Sequence, residues 1–315
     1  MSGGRGRRLL KRLAAGLAGA IALAIAALLL IPFGQRVDRD YRPAVAAPNW
    51  TAAHPPVCID EGHWNAHTAA GRYRPLADLL RADGYEVRRH RGRFTAASLA
   101  GCRILVVANA AGGGRYRIGP INLPIKRGRE RGDPAFTAAE VALLRTWVER
   151  GGALLLVADH APFGEAARAL AAAFGVGMGG GFVEVPRGSP ARSGGELQFT
   201  SANGLLRPHP VTAGLARVVT FTGQSLTGAG EPLLLLPADA VEFVPPGPAL
   251  RPVPAAGHRQ AVALSFGAGR VAVLGEAAMI TAQIDDGGAA MGMNAAGNDN
   301  AGFARNLFHW LARGR

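Results

Sequence analysis

The chain has 315 residues, 49% of them hydrophobic but only 6% aromatic, so Ala, Val and Leu must build most of a core large enough for one sizeable domain. Its net charge of +13 is partly local, because residues 1–42 hold eight basic and two acidic side chains. Much of the charge is thus a membrane-topology signal, not a nucleic-acid footprint.

Residues 1–12 form a basic tail with Arg5, Arg7, Arg8, Lys11 and Arg12. Leu13 to Phe33 is an uncharged, almost wholly apolar run of 21 residues, and about 20 suffice to cross a bilayer as a helix. The positive flank predicts a single-pass anchor with a cytoplasmic N-terminus and an extracytoplasmic remainder. A cleaved signal peptide is the rival, with Ala44-Val45-Ala46 as its cleavage motif. That motif lies well downstream, and the run exceeds an h-region of roughly 7–15 residues, so the uncleaved anchor is favoured. Residues 34–55 are polar, Pro-containing and aperiodic, the composition of a linker. Residues 56–315 form the exported domain.

That domain opens on a strand, Val57 to Asp60, running into Glu61-Gly62-His63-Trp64-Asn65-Ala66-His67. Pro75 stands near the start of a helix striped by Leu76, Leu79 and Leu80 and ended by Gly84, after which Tyr85-Glu86-Val87 begins a shorter strand. Ile104 to Ala108 is continuously apolar and β-branched, the pattern of a strand covered on both faces, and it ends at Asn109. A loop over 111–136 follows, made strongly basic by Arg115, Arg117, Lys126, Arg127, Arg129 and Arg131.

Thr137-Ala138-Ala139-Glu140 is a capping box that opens a helix, which Gly151-Gly152 stops. Ala153 to Ala158 is another buried strand, ending in Asp159-His160, and a helix from Glu165 to Phe174 follows. This alternation predicts an α/β fold with a mainly parallel sheet and right-handed crossovers. Short strands are expected at Phe182 to Val185, Leu197 to Thr200, Val218 to Phe221 and Leu233 to Leu236, and a Pro-rich surface loop at 245–256. Ala261 to Phe266 and Arg270 to Leu274 read as a hairpin that ends at Glu276. A last helix runs from Ala301 to Leu311. The polar stretch before it offers Asn294, Asn298 and Asp299 to a pocket, or Asn298, Asp299 or Asn300 as a helix cap.

Parallel α/β sheets bind ligands beyond the carboxyl ends of their strands. Asp60, Glu61, His63, Asn65, His67, Asp159, His160 and Glu276 are therefore the candidate ligand-binding residues. Glu276 belongs with them only if its strand runs with the others. Carboxylate and imidazole suit a divalent metal, so His63, His67, Asp159 and His160 are candidate ligands of a hydrolytic centre that would also use Asp60. The alternative is structural: the acids cap amides and the histidines bond loop backbone. Cys58 and Cys102 stand near neighbouring strand starts, where a disulfide is geometrically allowed, but two small buried hydrophobes is the favoured reading. Gly175-Val176-Gly177-Met178-Gly179-Gly180 follows a helix and precedes a strand, the reverse of a dinucleotide fingerprint.

The order Asp60-Glu61-Gly62-His63-x-Asn65-x-His67, Gly71-Arg72-Tyr73-x-Pro75-Leu76, Leu105 to Asn109, Phe136-Thr137-x-x-Glu140, Leu156-Val157-Ala158-Asp159-His160, His209-Pro210-Val211-Thr212-x-Gly214-Leu215 and Asn306-Leu307-x-x-Trp310-Leu311 resembles the DUF4350-like group of the class I glutamine amidotransferase-like superfamily. The resemblance covers roughly residues 55–312. It implies a flavodoxin-like three-layer sandwich and no settled activity. Amidotransferases place a cysteine on the turn after a central strand, and the matching turn, Ala158 to Pro162, has neither cysteine nor serine. The expectation is a membrane-anchored envelope protein whose domain binds a small polar or anionic ligand or an envelope protein partner. A metal-assisted hydrolase is the alternative, and a scaffold without a ligand is the third reading.

Overall fold

The computed structural model describes residues 34–112, 133–244 and 250–313, the backbone of 115–118 and 121–124, and the isolated Gly19. The remainder of the 13–33 segment lies outside the described residues; among those described, no helix is long and apolar enough to cross a membrane.

Among the described residues, nine strands form the central sheet: β1 (Pro56–Asp60), β2 (Glu86–His90), β3 (Ile104–Ala108), β4 (Ala153–Val157), β5 (Val176–Met178), β6 (Leu226–Gly228), β7 (Glu231–Leu235), β8 (Arg259–Phe266) and β9 (Gly269–Leu274). Their order is β2-β1-β3-β4-β9-β8-β6-β5, with β7 also pairing β8. The first five in that order are mutually parallel. β8, β6, β7 and β5 pair antiparallel. The expected hairpin is β8–β9, and its second strand runs parallel to β4. The carboxyl ends of β1, β3, β4 and β9 therefore share one edge.

The parallel strands alternate between two cores. Val57, Ile59, Val106 and Leu155 face a cluster that contains Leu76, Leu79 and Leu80 of α1 (Arg74–Ala82) and Phe303, Leu307 and Phe308 of α5 (Asn300–Ala312). Cys58, Leu105, Val107 and Leu154 face the opposite cluster, with Leu99 of α2 (Ala96–Leu99), Leu144 and Val148 of α3 (Ala138–Glu149) and Leu170 of α4 (Phe163–Ala172). A strand covered on both sides has no polar face to show, which is why these runs are continuously apolar. The capping box at Thr137 forms in both directions, with Glu140 as its third residue.

Two expectations from composition need correction. The 34–55 stretch is docked rather than free along its length. Arg36–Val37 pairs antiparallel with Ala282–Ile284, and Tyr41, Val45 and Trp50 pack on the first core. Buried Asp83 anchors it further, accepting the Asn49 N–H at 3.1 Å together with Arg305 at 2.8 Å and His309 at 2.5 Å. Gly84, at φ +92, lets the Trp50 carbonyl approach to where a Cβ would stand. Within the Pro-rich 245–256 stretch, Arg251–Pro254 is a strand that pairs with Val241–Val244. Proline fits there because an edge strand leaves its missing N–H unneeded. The basic 111–136 stretch contains a two-stranded ribbon, Arg115–Ile118 with Ile121–Pro124.

Both cysteines are consumed in a Cys58–Cys102 disulfide, with Cα atoms 5.7 Å apart. The favoured reading of two independent hydrophobes is thus replaced by a covalent tie between β1 and the stretch preceding β3.

Candidate functional site

The eight sequence candidates reach the same edge of the sheet, where five of them form two groups on opposite faces and three border the edge. Ile59 pairs with Val106 and faces the first core, so Asp60, one residue further on, turns to the α3 side. There it meets His63, whose Nδ1 donates to Asp60 Oδ2 at 2.9 Å and whose Nε2 donates to Glu140 Oε1 at 3.0 Å. Arg93 reaches the other Glu140 oxygen at 2.7 Å. The His63 ring is packed between Phe94 and Phe136, with centroids at 4.4 and 4.9 Å. His90 Nδ1 is 3.8 Å from Asp60, too far for a hydrogen bond.

Burial opposes charge on every member of this chain. The hydrogen bond and proximity of His63 nevertheless hold Asp60 below the usual carboxylate range, and bonds from Thr137, His63 and Phe94 bring Glu140 down to about 2. For the same reason His63 is raised despite its burial, since both neighbours favour the imidazolium. The arrangement is a buried acid–imidazolium–acid brace tying the loop after β1 to α3.

The second group lies on the α1 and α5 side, around Asp159. Asn109 Nδ2 donates to Asp159 Oδ2 at 2.7 Å and to His67 Nδ1 at 3.2 Å, and Asn109 Oδ1 accepts the Asp159 N–H at 2.8 Å. The Ala277 N–H donates to Asp159 Oδ1 at 2.7 Å. Glu276 accepts the N–H groups of Ala278 and Met279 at 2.8 and 2.7 Å. The buried Tyr73 ring lies 4.8 Å from that of His67. Burial, joined by the charge of Asp159, raises Glu276 well above the carboxylate range, and burial raises Asp159 too. Tyr73 is likewise raised by burial, with both acids adding to it. His67 is pushed to about 3 by burial and by Arg72, so it is a neutral ring.

The remaining candidates border this edge without joining either acid. Glu61 accepts the Ala69 N–H and pairs with Arg89 at 2.6 Å. Asn65 accepts the His63 N–H and donates to the Ala108 carbonyl, closing its own loop. His160 stacks on Phe182 at 3.9 Å and contacts the Ala161 carbonyl.

The metal set proposed from sequence is not assembled. His63 spends both nitrogens on carboxylates on one face, His67 and Asp159 lie on the other, and His160 is turned onto Phe182. Among the described residues no cluster of three or more His, Cys, Asp or Glu side chains is arranged to hold a metal ion. Asn294, Asn298 and Asp299 are also placed elsewhere. They brace Asp38, the Gly292 carbonyl and the Ala216 and Arg217 amides, and Asp299 makes no side-chain cap on α5.

Sequence reasoning missed Asn109, Glu140, Tyr73 and Gln224. Asn109 was detectable, since it directly follows β3 at the shared edge. Gln224 bonds the Ala158 and Asp159 carbonyls from 65 residues away or more, and nothing local announces it. Two non-glycine residues among those described have positive φ, Trp64 (56°) and Asn109 (46°). They follow β1 and β3, the two strands that flank the reversal in strand order, and strained backbone of this kind gathers at functional sites.

The pair's protonation has a consequence for stability. Glu276 is raised, so the folded state holds a proton that the unfolded chain releases above about pH 4.3. Its favourable contribution is complete at lower pH and is lost as pH climbs toward the folded value. Glu276→Gln is expected to flatten the fall in unfolding free energy between pH 5 and 8, roughly, read by urea denaturation at several pH values.

The class defined by this fold is a mixed α/β domain on a mainly parallel sheet. No protein-family model matches the chain, and no curated protein does. Among solved structures, the mmIFT52 N-terminal domain aligns with a TM-score of 0.56 at 16% identity, covering 82% of this chain and 98% of that one. A ThuA-like protein from Bacteroides uniformis aligns at 0.39 and 14% identity over 85% and 94% of the two chains. A GMP synthase-like protein from Thermoplasma acidophilum aligns at 0.39 and 9%, over 83% and 96%. The first likeness concerns the fold alone.

Proposed function

We propose that the chain is a single-pass, membrane-anchored envelope protein whose extracytoplasmic domain is an amidotransferase-like, flavodoxin-like sandwich that binds a small polar ligand and performs no amidotransfer. The strand order β2-β1-β3-β4-β9 corresponds to the 2-1-3-4-5 order of flavodoxin-like sheets, whose ligands sit where β1 and β3 diverge. The resemblance to the DUF4350-like group supports the same reading.

The observation that carries it is the turn after β4. Where an amidotransferase holds its nucleophile, this chain holds Asp159, fixed by Asn109 and the Ala277 amide. Both of its thiols are bonded to each other. An aspartate beside a neutral imidazole and an amide offers directed hydrogen bonds, which suit hydroxyl, amide or ammonium groups of a ligand.

Two measurements test this. Incubation with glutamine should release no ammonia above the rate of a Cys58→Ala/Cys102→Ala control; steady release that the control lacks would overturn it. A thermal-shift screen with sugars, sugar phosphates and amino acids should find a stabilising compound whose effect Asp159→Asn removes. Absence of any stabilisation across that panel would leave a scaffold as the better reading.

A further inference from the structure

One cavity lies away from the strand edge, beside the docked N-terminal segment. It encloses about 900 Å³ and is lined by Arg36, Arg39 and Arg74 with Asp38, Asp40 and Gly288. Three arginines face two acids, so the wall keeps a net positive charge. Asp38 is committed, with Oδ1 taking the N–H groups of Asp40 and Tyr41 and Oδ2 taking the Asn294 amide. Arg74 spends one N–H on the Asp38 carbonyl at 3.1 Å. Arg36 and Arg39 are exposed and make no side-chain hydrogen bond or ion pair among the described residues. Asp40 is the one uncommitted carboxylate of the wall.

Position in the chain adds the second observation. Arg36 is held in its two-residue strand against Ile284, and Asp38 N–H bonds the Ala282 carbonyl at 2.9 Å. The apolar run ends at Phe33, three residues earlier. Three residues reach about 10 Å at most, and a headgroup layer is itself roughly 5–8 Å thick. A chain anchored by 13–33 therefore has Arg36, and the cavity it lines, at the level of the headgroups.

We propose that this cavity seats the phosphodiester headgroup of an anionic phospholipid, with Arg36 and Arg39 as its principal contacts and Arg74 at its wall. The assignment rests on the membrane-anchored reading given above. Guanidinium groups match phosphate oxygens in charge and in paired N–H geometry. Bound lipid would fix the domain's orientation on the bilayer, so that its strand-edge site opens at a set height above the surface.

The test uses the full chain in nanodiscs of phosphatidylcholine, with or without phosphatidylglycerol. Hydrogen exchange over 34–42 and 282–292 should slow on the order of 10-fold when phosphatidylglycerol is present, in keeping with the attraction of a few arginines to anionic lipid. Arg36→Gln/Arg39→Gln should abolish the difference, and Asp40→Asn should enlarge it. Equal exchange in both discs overturns the proposal. Equal slowing by soluble glycerophosphoglycerol in phosphatidylcholine discs overturns the lipid as source and leaves a free phosphodiester. Carbonate extraction reports on the anchor alone: release of the chain would defeat the anchored reading while leaving the headgroup result to stand or fall on the arginine variants.

Discussion

Replacing His63 with alanine is expected to destabilise the domain by about 3 kcal/mol, a fall in Tm of roughly 6–12 °C for a domain of this size. The imidazolium stands between Asp60, which is wholly buried, and Glu140, which is 4% exposed. Removing it strands two carboxylates that cannot rehydrate. Glu140 keeps Arg93 and the Phe94 and Thr137 amides, which holds the cost at the lower end of the range for a broken buried pair. The pH profile separates this account from simple loss of packing. Asp60 and Glu140 lie below their ordinary values, so their contribution is present above about pH 4 and is lost as pH falls through the folded values, which for Glu140 is about 2. His63 is raised, so its contribution is complete below about pH 6.5 and is lost as pH rises through the folded value. The wild-type minus His63→Ala difference should therefore peak in mildly acidic solution and shrink on either side. A difference that stays constant from pH 4 to 9, roughly, would assign the loss to the space left between Phe94 and Phe136.

The elements legible in the sequence are those whose signal is local. β3 and β4 are continuous apolar runs, and their bounds differ from expectation by at most one residue. The Thr137 capping box and the β8–β9 hairpin are also written into short stretches. The common edge followed from strand direction. What did not follow was the face on which each strand-end residue falls. Asp60 ends β1 and Asp159 lies two residues beyond β4, yet Ile59 is level with Val106 and Leu155, so the two acids stand at different heights and on different faces. One acid lies with Phe94 and Phe136 and the other with Tyr73 and Ala277, and register between strands is a tertiary property. The docking of 34–55 was illegible for a related reason. It is held by a two-residue strand and by single bonds to Asp83, neither of which produces periodicity. Glu140 shows the limit from another side. Its capping role is local and was found, while its bond to His63, 77 positions away, depends on the fold being complete.

Breaking the Cys58–Cys102 bond should cost more than any single side-chain change in the site. The bridge spans 44 positions, enclosing β2, α1 and α2. In the chain-entropy model a loop of that length restricts the unfolded ensemble by about 4 kcal/mol. For a domain of this size that corresponds to a drop in Tm of roughly 8–16 °C. Cys58 sits in the second core at 4% exposure, so Cys58→Ala/Cys102→Ala also removes one buried sulfur, a smaller loss. Reduction of the wild-type chain isolates the covalent contribution: dithiothreitol should lower its Tm by most of the same amount and leave the double variant unchanged. If the reduced and oxidised proteins melt together, the 58–102 segment is already confined in the unfolded chain and the bridge is energetically idle. A bond of this size persists in an oxidising compartment, which agrees with the proposed export. The same protein retained in a reducing compartment should then be the less stable form, and limited proteolysis of the two preparations should show earlier cleavage within 61–101 in the reduced one.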